Sequence, residues 1–351
     1  MLELWSPEGA FEALEAYLAQ ELRPGLVAHV YLGYGLSESL RRDTTPAPPE
    51  PCRLPLLACR VSEPAMSSGR APGPVSIGQW ERSWTDADYA AAVEEVRAAI
   101  ERGDVYQVNL VQHLSAEFEG DPAAVAARLA SLRPLHPRPL AGGGWAILSA
   151  SPELFLARRG RRLWTSPIKG TRPLGEHVEG EKDGAEHVMI VDLERNDLSR
   201  VCEPGTVRWP ELLVERELAG VVHLVSRVEG RLREDATLAE VLGATFPGGS
   251  VTGAPKIAAV DHIARLEPVG RGASMGAIGT IHANGDFDLA LTIRSFAIAD
   301  GRIHLWVGGG IVWDSDPAAE IEESWVKARP LLAALREAVG RRRLDGAGVT
   351  A

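Results

Sequence analysis

The chain has 351 residues, 45% of them hydrophobic, and its 48 Asp and Glu outnumber its 37 Lys and Arg, for a net charge of -11. This acidic balance, without a long basic run, argues against a nucleic-acid partner. The three cysteines have no metal-ligand spacing, which is typical of a reducing compartment. Because the start lacks signal-peptide features and no apolar run could span a bilayer, we expect a cytoplasmic protein with no membrane partner.

The first 75 residues form a short N-terminal region that we expect to contribute to the core of a larger domain. Apolar residues at helical spacing predict a helix over 8–22, and strands are predicted over 27–35 and 54–60. Eight prolines between residues 43 and 75 predict loop for the rest of that segment. We place a boundary near residue 75, a main domain over 76–340 and a frayed tail over 341–351.

Predicted helices and strands alternate in the main domain. The helices cover about 85–102, 122–132, 182–201, 237–244, 257–266 and 316–339, and the strands cover 105–112, 145–149, 153–157 and the stretch before residue 169. From 275 to 313 the pattern is typical of an antiparallel meander. Its hairpin turns are predicted at the Asn-Gly pair 284–285 and the Asp-Gly pair 300–301.

The stretch 166–171 contains the lysine with the most unusual setting. Proline at 167 and glycine at 170 should bend the backbone around Lys169, so that its amine can point into a cavity. If the amine is desolvated, its pKa falls and it becomes a nucleophile. A solvated lysine at the end of a strand is the more common alternative for an isolated residue.

Two acidic pairs stand at i and i+3 on two predicted helices, Asp183 with Glu186 and Glu320 with Glu323. If the pairs face each other, their oxygens suit Mg²⁺, which keeps several waters. Solvated helix surface is the alternative, and Lys327, one turn after Glu323, would then form an ordinary i,i+4 ion pair.

Glycines and one arginine mark a second group of candidates. The glycine-rich turn 248–253 precedes a predicted helix, so its N–H groups suit a carboxylate or phosphate, or else cap the helix. Arg294 ends an apolar run predicted as a buried strand, where it needs an anionic partner; an open sheet face is the alternative. Three glycines at 308–310 would let a ligand approach the neighbouring strand.

Glu153 and His223 are the remaining candidates, and both have apolar neighbours. Such neighbours could raise the pKa of Glu153 enough for general-acid chemistry, although a carboxylate at a strand edge fits the same pattern. A histidine such as His223, within an apolar run, is more often a satisfied core residue than a catalyst.

Taken together, these segments resemble the chorismate-utilising enzymes, from about residue 104 to 332. The motifs that carry the resemblance are GDVYQ at 103–107, SPE at 151–153, PIKGT at 167–171, AEHVMIVDL at 185–193, RNDL at 195–198, TGAPK at 252–256 and IRS at 293–295. The resemblance implies an α+β fold, in which two large, mostly antiparallel β-sheets pack as a sandwich with helices outside. The active site would lie in the cleft.

The resemblance also implies roles for individual residues. Lys169 would be the covalent nucleophile, Glu153 the general acid and His223 a supporting residue. Mg²⁺ would be held by the two acidic pairs, namely Glu186, Glu323, Asp183 and Glu320. The residues that would bind substrate are Gln107, Thr171, Ser250, Thr252, Gly253, Arg294, Gly309, Gly310 and Lys327.

Two positions discriminate between branches of this family. The water-using isochorismate branch usually has lysine at the position of Gln107, and a glutamine cannot act as a base toward water. The anthranilate branch usually has alanine at the position of Lys169, whereas the PIKGT form resembles the aminodeoxychorismate synthase branch. We therefore predict amination of chorismate, for para-aminobenzoate and folate biosynthesis, with ammonia from a separate glutamine amidotransferase subunit. Anthranilate formation and a non-catalytic chorismate-binding scaffold are the alternatives.

Three departures from the family pattern affect these expectations. Asp183 is one methylene shorter than the usual glutamate, so it would leave space for a water between its carboxylate and the metal. Ser274 and Thr280 stand where the family more often has aromatics, so the shape of the substrate pocket could differ. Residues 1–75 contain no convincing tryptophan-binding motif, so we expect weak or absent tryptophan control.

Overall fold

The computed structural model describes residues 1–64, 73–173, 181–218 and 221–336. Side chains are described for the same residues, with the exception of 171–173, 181–183, 185, 217–218 and 221. Within these ranges, seven α-helices are present: α1 (Ala10–Glu21), α2 (Asp86–Arg102), α3 (Pro122–Leu129), α4 (Glu181–Ser199), α5 (Leu238–Thr245), α6 (Lys256–Leu266) and α7 (Pro317–Arg336). No helix among the described residues is long and apolar enough to cross a membrane.

The strands, numbered in chain order, form two sheets. The ten-stranded sheet contains β1 (Leu2–Leu4), β2 (Val27–Leu32), β3 (Leu57–Ser62), β9 (Leu154–Arg159), β10 (Arg162–Ser166), β11 (Ile168–Pro173), β12 (Arg208–Leu218), β13 (Val221–Arg231), β15 (Ala277–His282) and β16 (Phe287–Leu291). The eight-stranded sheet contains β4 (Val75–Ile77), β5 (Glu81–Arg82), β6 (Gln107–Gly120), β7 (Leu140–Ala141), β8 (Trp145–Ser149), β14 (Gly253–Ala254), β17 (Ser295–Ala299) and β18 (Arg302–Ile311).

Neighbouring strands run antiparallel throughout both sheets. The first has the order β1-β3-β2-β15-β16-β9-β10-β13-β11 with β12 beside β13, and the second has β14-β6-β18-β17-β8-β7 with β4 and β5 beside β6. This arrangement confirms the predicted α+β architecture.

The eight-stranded sheet is buried on both faces. On β17, Phe296 and Ile298 join an apolar cluster with α3 and α7, whereas Ala297 and Ala299 join the cluster that contains the strands of the other sheet. This alternation follows from the two-residue period of a strand. The sheet therefore packs against its partner on one face and against helices on the other, as predicted.

Local signals located most of the helices correctly. Thr85 caps α2 through a capping box, in which its hydroxyl accepts from the N–H of Asp88 at 3.1 Å and the Asp88 carboxylate accepts from the N–H of Thr85. The strand predicted over 105–112 is longer than expected, because β6 continues to Gly120. The pair β12 and β13 was not predicted as two strands, because the apolar run at 221–225 shows no alternation that would mark a strand.

The predicted meander over 275–313 is divided between the two sheets. Strands β15 and β16 belong to the ten-stranded sheet, and β17 and β18 to the other. The strand that was predicted to continue to Arg294 ends instead at Leu291. Arg294 has a φ of 50°, a left-handed conformation that cannot continue a strand. Residues 292–294 therefore carry the chain from one sheet to the other.

Candidate active site

Lys169 lies inside β11, not at the end of the preceding strand as predicted. Strand β10 ends at Ser166, and pairing resumes at Ile168 against β13. The ladder then shifts register between Lys169 and Arg172, and Gly170 has a φ of 62°. The predicted distortion is thus a β-bulge, which re-aims a side chain within a strand that continues.

The Lys169 amine is surrounded by carboxylates. Its Nζ lies 2.8 Å from Oε1 of Glu186, and the lysine side chain is 16% exposed. Burial lowers the pKa of Lys169, but Glu186, Glu153 and Glu323 together raise it above its usual value. Desolvation acts on this pKa in the expected direction, but the carboxylates outweigh it in the arrangement seen here.

Glu153 is the buried acid of the site. It precedes β9, is 6% exposed, and accepts a hydrogen bond of 2.9 Å from the Ser250 hydroxyl. Burial raises the pKa of Glu153, and the nearby Lys169 and the Ser250 hydrogen bond only partly offset that effect. The predicted direction is confirmed, so this carboxyl keeps its proton to a higher pH than an exposed glutamate does.

Arg294 lies half-buried beside Glu153 at the crossing between the sheets. Burial lowers the pKa of Arg294, and the charge of Glu153 raises it. Across the described ranges, no carboxylate lies within ion-pair distance of the Arg294 guanidinium. Its bidentate donors are therefore available to an anionic ligand, as the sequence suggested.

Gly310 lets Gln107 and Glu186 meet over the backbone of β18. A side chain added at Gly310 would collide with Nε2 of Gln107 and come within 2.9 Å of Oε1 of Glu186. The absent side chain thus makes space for the Gln107 amide and the Glu186 carboxylate. That a ligand approaches this backbone stays a prediction.

Gly309, one residue earlier, faces helix α7. A side chain there would come within 3.4 Å of each of three groups: Oε2 of Glu320, Oε1 of Glu323 and Nζ of Lys327. Lys327 also pairs with Glu323 at 2.7 Å and donates to the Gly308 carbonyl. Carboxylates therefore approach the glycine segment from two sides of the strand.

These carboxylates are chemically suitable ligands for Mg²⁺, because Mg²⁺ prefers oxygen ligands. Glu186, Glu320 and Glu323 converge on a backbone segment without side chains, and Glu186 and Glu323 are each paired with a lysine. No group of three His, Cys, Asp or Glu residues in the described part of the chain lies close enough to hold a metal. The side chain of Asp183 lies outside the described residues. The magnesium site stays a prediction.

The turn at 248–253 contacts the site through Glu153 and β6. Ser250 donates to Glu153, while the Thr252 hydroxyl donates to the Gly248 carbonyl at 2.9 Å. Gly253 has a φ of 140°, and a side chain there would collide with the Gln107 carbonyl. The turn therefore holds the acid and the strand that carries Gln107.

His223 supports the bulge that carries Lys169. Its Nδ1 lies 2.8 Å from the Gly170 carbonyl, so this nitrogen donates, and burial lowers the pKa of the ring. A neutral imidazole with this tautomer orients the backbone of β11. The side chain of Thr171, also predicted to bind substrate, lies outside the described residues.

The sequence matches a known family of enzymes. A sequence model of the chorismate-binding enzymes matches residues 40–333. The chain belongs to the chorismate-binding enzyme family.

Curated relatives in this family carry two names. Anthranilate synthase component 1 of Streptomyces coelicolor is 41% identical over 300 residues, which cover 80% of this chain and 58% of the relative. Aminodeoxychorismate synthase component 1 of Klebsiella aerogenes is 40% identical over 266 residues, which cover 72% of this chain and 59% of the relative. The chain thus spans about six tenths of the length of these relatives.

Solved structures of the family share the fold. Anthranilate synthase component I from Streptococcus pneumoniae superimposes with a TM-score of 0.77 at 29% identity, over 89% of this chain and 81% of that one. A putative 2,3-dihydroxybenzoate-specific isochorismate synthase from Bacillus anthracis gives a TM-score of 0.73 at 22% identity, over 95% and 90% of the two chains.

Two buried ion pairs in this chorismate-binding enzyme were not predicted. Asp197 and Lys256 pair at 2.6 Å and join two of the family motifs. Glu267 and Arg271 pair at 2.7 Å, and Arg271 also donates to the Val251 carbonyl within the glycine-rich turn. Glu267 and Arg271 stand at i and i+4, a spacing that could have indicated their pair. Asp197 and Lys256 are 59 residues apart, and no spacing rule joins them.

Ser274 and Thr280, the two positions where the family more often has aromatics, lie in different surroundings. Ser274 is fully buried, and its hydroxyl lies 3.4 Å from the Thr292 carbonyl at the crossing between the sheets. Thr280 lines a cavity of about 70 Å³ with His29 and His136, and no candidate site residue lines that cavity. Thr280 therefore affects the shape of a separate cavity. Ser274 instead affects the packing of the crossing beside Arg294.

Proposed function

We propose that this chain aminates chorismate with ammonia to give 4-amino-4-deoxychorismate, in the cytoplasm and for para-aminobenzoate and folate biosynthesis. A glutamine amidotransferase subunit would supply the ammonia. The observation that carries the proposal is the position of Lys169. Its amine lies in a mostly buried cluster with Glu153, a carboxyl of raised pKa, and with Glu186.

Covalent catalysis by Lys169 explains why an amine and a carboxyl of raised pKa share this cluster. In the first step, a bond forms between Nζ and ring C2 while the bond between C4 and its hydroxyl oxygen breaks. Glu153 donates its proton to that oxygen, which leaves as water. The alkylated amine then returns a proton to Glu153, so charge and protons balance.

In the second step, ammonia forms a bond to C4 as the bond between C2 and Nζ breaks. The departing Lys169 amine takes up the proton that the new C4 ammonium group releases. The sum of both steps is chorismate plus ammonia giving 4-amino-4-deoxychorismate plus water. The pyruvyl group stays on the ring throughout.

The other residues of the site hold the substrate and the acid. Arg294 would bind one substrate carboxylate with its two parallel donors. Ser250 orients Glu153 through its hydrogen bond of 2.9 Å. Carboxylates from both sides of Gly309 and Gly310 would hold Mg²⁺ for the ring carboxylate. When bound, that ion supplies positive charge beside Lys169, which favours the free amine and withdraws charge from the ring.

Anthranilate formation is the second candidate, because relatives with that name match at 41% identity. Lys169 argues against it, since the residues quoted above resemble the branch that uses this lysine. Both candidates use chorismate and ammonia, so only the product separates them.

Product identification tests the proposal. The purified chain is incubated with chorismate, Mg²⁺ and a high concentration of ammonium at mildly alkaline pH, and products are separated with mass detection. We expect aminodeoxychorismate, which an added lyase converts to para-aminobenzoate. Anthranilate with pyruvate would contradict the branch assignment, and no consumption of chorismate would favour the non-catalytic scaffold.

A further inference from the structure

An open cavity of about 690 Å³ lies away from the candidate active site. On β13 it is lined by residues 229–231, which follow His223 by six to eight positions, or roughly 20–27 Å along the strand. None of the candidate site residues lines it in the part of the chain that the structure describes. Half of its eight lining residues are arginines: Arg161, Arg162, Arg208 and Arg231. The cavity therefore concentrates positive charge in a chain whose net charge is -11.

The strand register places two of these arginines side by side. Arg162 on β10 stands directly opposite Arg231 on β13. Glu229, two residues before Arg231, stands opposite Arg208 on β12. Because residues directly opposite each other, and residues two apart, share a face of a sheet, arginines from three strands meet on one face. Like charges directly opposite each other destabilise a sheet, so this face favours a bound anion.

Glu229 holds two of the arginines in place. Its side chain is 6% exposed, and it accepts from Nε of Arg162 and from Nε of Arg208, each at 2.9 Å. Burial raises the pKa of Glu229, but hydrogen bonds from both arginines outweigh this effect and bring it below its usual value. The two arginine side chains are 53% and 73% exposed. A charged carboxylate thus fixes two guanidinium groups whose remaining donors are available to a ligand.

Glu203 holds the other two arginines. It pairs with Arg161 and, at 3.3 Å, with Arg231, whose side chain is 60% exposed. Arg161 also pairs with Glu234 at 2.8 Å. Four guanidinium groups thus share three carboxylates, which leaves an excess of positive charge and of N–H donors at the cavity.

The geometry of these donors indicates the class of anion. A planar carboxylate accepts best from one guanidinium fork, whereas a phosphate presents its oxygens in several directions and can accept from several forks. A single phosphate would fill only a small part of 690 Å³, so linked phosphates match both the charge and the space. We propose that this cavity binds a small molecule through a diphosphate group, held by Arg162, Arg208 and Arg231. The site is separate from the chemistry proposed for Lys169.

Isothermal titration calorimetry with pyrophosphate and with adenosine diphosphate tests this site. The buffer contains no Mg²⁺, because the cation would compete for the phosphates. We expect pyrophosphate to bind with a Kd below about 100 μM at about 50 mM salt, and more weakly as added salt screens the charges. Equal affinity for both probes would support recognition of the diphosphate alone, and tighter binding of adenosine diphosphate would support a nucleotide ligand. Citrate, a polycarboxylate, should bind at least about tenfold more weakly than pyrophosphate.

Arg208→Gln and Arg231→Gln each remove one guanidinium group from an exposed position. We expect each to weaken pyrophosphate binding at least about tenfold, with an unchanged circular dichroism spectrum. If Arg231→Gln fails to fold, Arg208→Gln alone carries the test. Arg216→Gln is the matched control, because Arg216 is also on β12, is 46% exposed and pairs with Glu211, but does not line the cavity. Its Kd should stay within about twofold of the parent, since a distant charge is screened.

Three outcomes would overturn the diphosphate site. The first is neither heat of binding nor a rise in the thermal midpoint with either probe. The second is citrate binding as tight as that of pyrophosphate, because unselective attraction to positive charge would explain both. The third is no loss of affinity in Arg208→Gln, or an equal loss in Arg216→Gln, which would place the bound anion elsewhere. None of these measurements uses chorismate, so the activity proposed for Lys169 can hold or fail without affecting them.

Discussion

Two ion pairs in the interior differ in their exposure to solvent and in the number of hydrogen bonds they form. Arg271 and Glu267 are almost fully buried, with side chains 1% and 2% exposed, whereas Lys169 and Glu186 retain 16% and 15% exposure. Arg271 donates twice to Glu267 and once each to the Val251 and Asn109 carbonyls, and it lies 4.5 Å from the centre of the Tyr34 ring. Lys169 has a hydrogen bond to Glu186 alone, among the groups the structure describes.

The difference between the pairs lies in how far their hydrogen-bonding capacity is used. A buried charge is tolerated when every donor and acceptor is satisfied, and such a pair then holds its surroundings in place. A pair with remaining donors in a cleft can exchange partners with a ligand at little energetic cost. We infer that the first pair is structural and the second functional. Substitutions at the two sites should therefore differ in what they change.

The largest expected effect is on stability, at the Arg271–Glu267 pair, whose hydrogen-bonding capacity is fully used. Arg271→Met leaves Glu267 as a buried unpaired charge, and we expect the free energy of unfolding to fall by about 3–5 kcal/mol. Urea denaturation followed by circular dichroism measures the loss. The same change at the other pair, Lys169→Met, should alter stability by less than about 1 kcal/mol, because the site is partly solvated. Similar losses at both pairs would remove the distinction.

The next largest effect is on catalysis, at the Lys169–Glu186 pair, which has hydrogen-bonding capacity left for a ligand. Lys169→Ala removes the nucleophile, and we expect the amination rate to fall by at least about 10³-fold with an unchanged circular dichroism spectrum. Lys169→Arg is the matched control, because it keeps the positive charge beside Glu186 without a nucleophilic amine, and it should be equally inactive. Retention of more than a tenth of the parent rate in either variant would exclude covalent catalysis by this residue.

A smaller effect is expected at Glu153, whose charge interacts with that of Lys169 in the functional pair. The carboxyl acts as an acid while protonated, so kcat should fall as pH rises through its raised pKa. In Glu153→Gln, kcat should be lower by about 10²-fold and should lose this alkaline decline. Steady-state rates across the pH range measure both features. An alkaline decline that persists in the variant would assign it to another group.

Ser250→Ala is the graded control for that experiment. The Ser250 hydroxyl favours the ionised form of Glu153, so its removal should shift the alkaline decline to higher pH. We expect kcat at neutral pH to fall by no more than about tenfold, since the acid itself is retained. A shift to lower pH would contradict the assigned direction of this hydrogen bond.

Short sequence motifs predicted several local features of the candidate site. Proline and glycine around Lys169 predicted a backbone distortion, and the apolar neighbours of Glu153 predicted its raised pKa. These features depend on residues close in the chain, so local chemistry determines them. The antiparallel architecture followed from the family resemblance and from the two hairpin turns.

Contacts between distant segments could not be predicted in the same way. The hydroxyl that orients Glu153 comes from a residue 97 positions away, and Arg271 reaches a carbonyl 162 positions away. No spacing rule identifies such partners. The rise in the pKa of Lys169 could not be predicted for the same reason, because the direction of the shift depends on how many carboxylates the fold brings near the amine.

The crossing at residues 292–294 sets a limit on how far the sheets can separate. Strand β16 is fixed in one sheet and β17 in the other. The four Cα–Cα steps from Leu291 to Ser295, even fully extended, span only about 14 Å, against about 10 Å for the usual spacing of packed sheets. At this point the chain is therefore a covalent tether that limits how far the two sheets can move apart. Any larger separation of the two sheets must therefore take place away from Arg294.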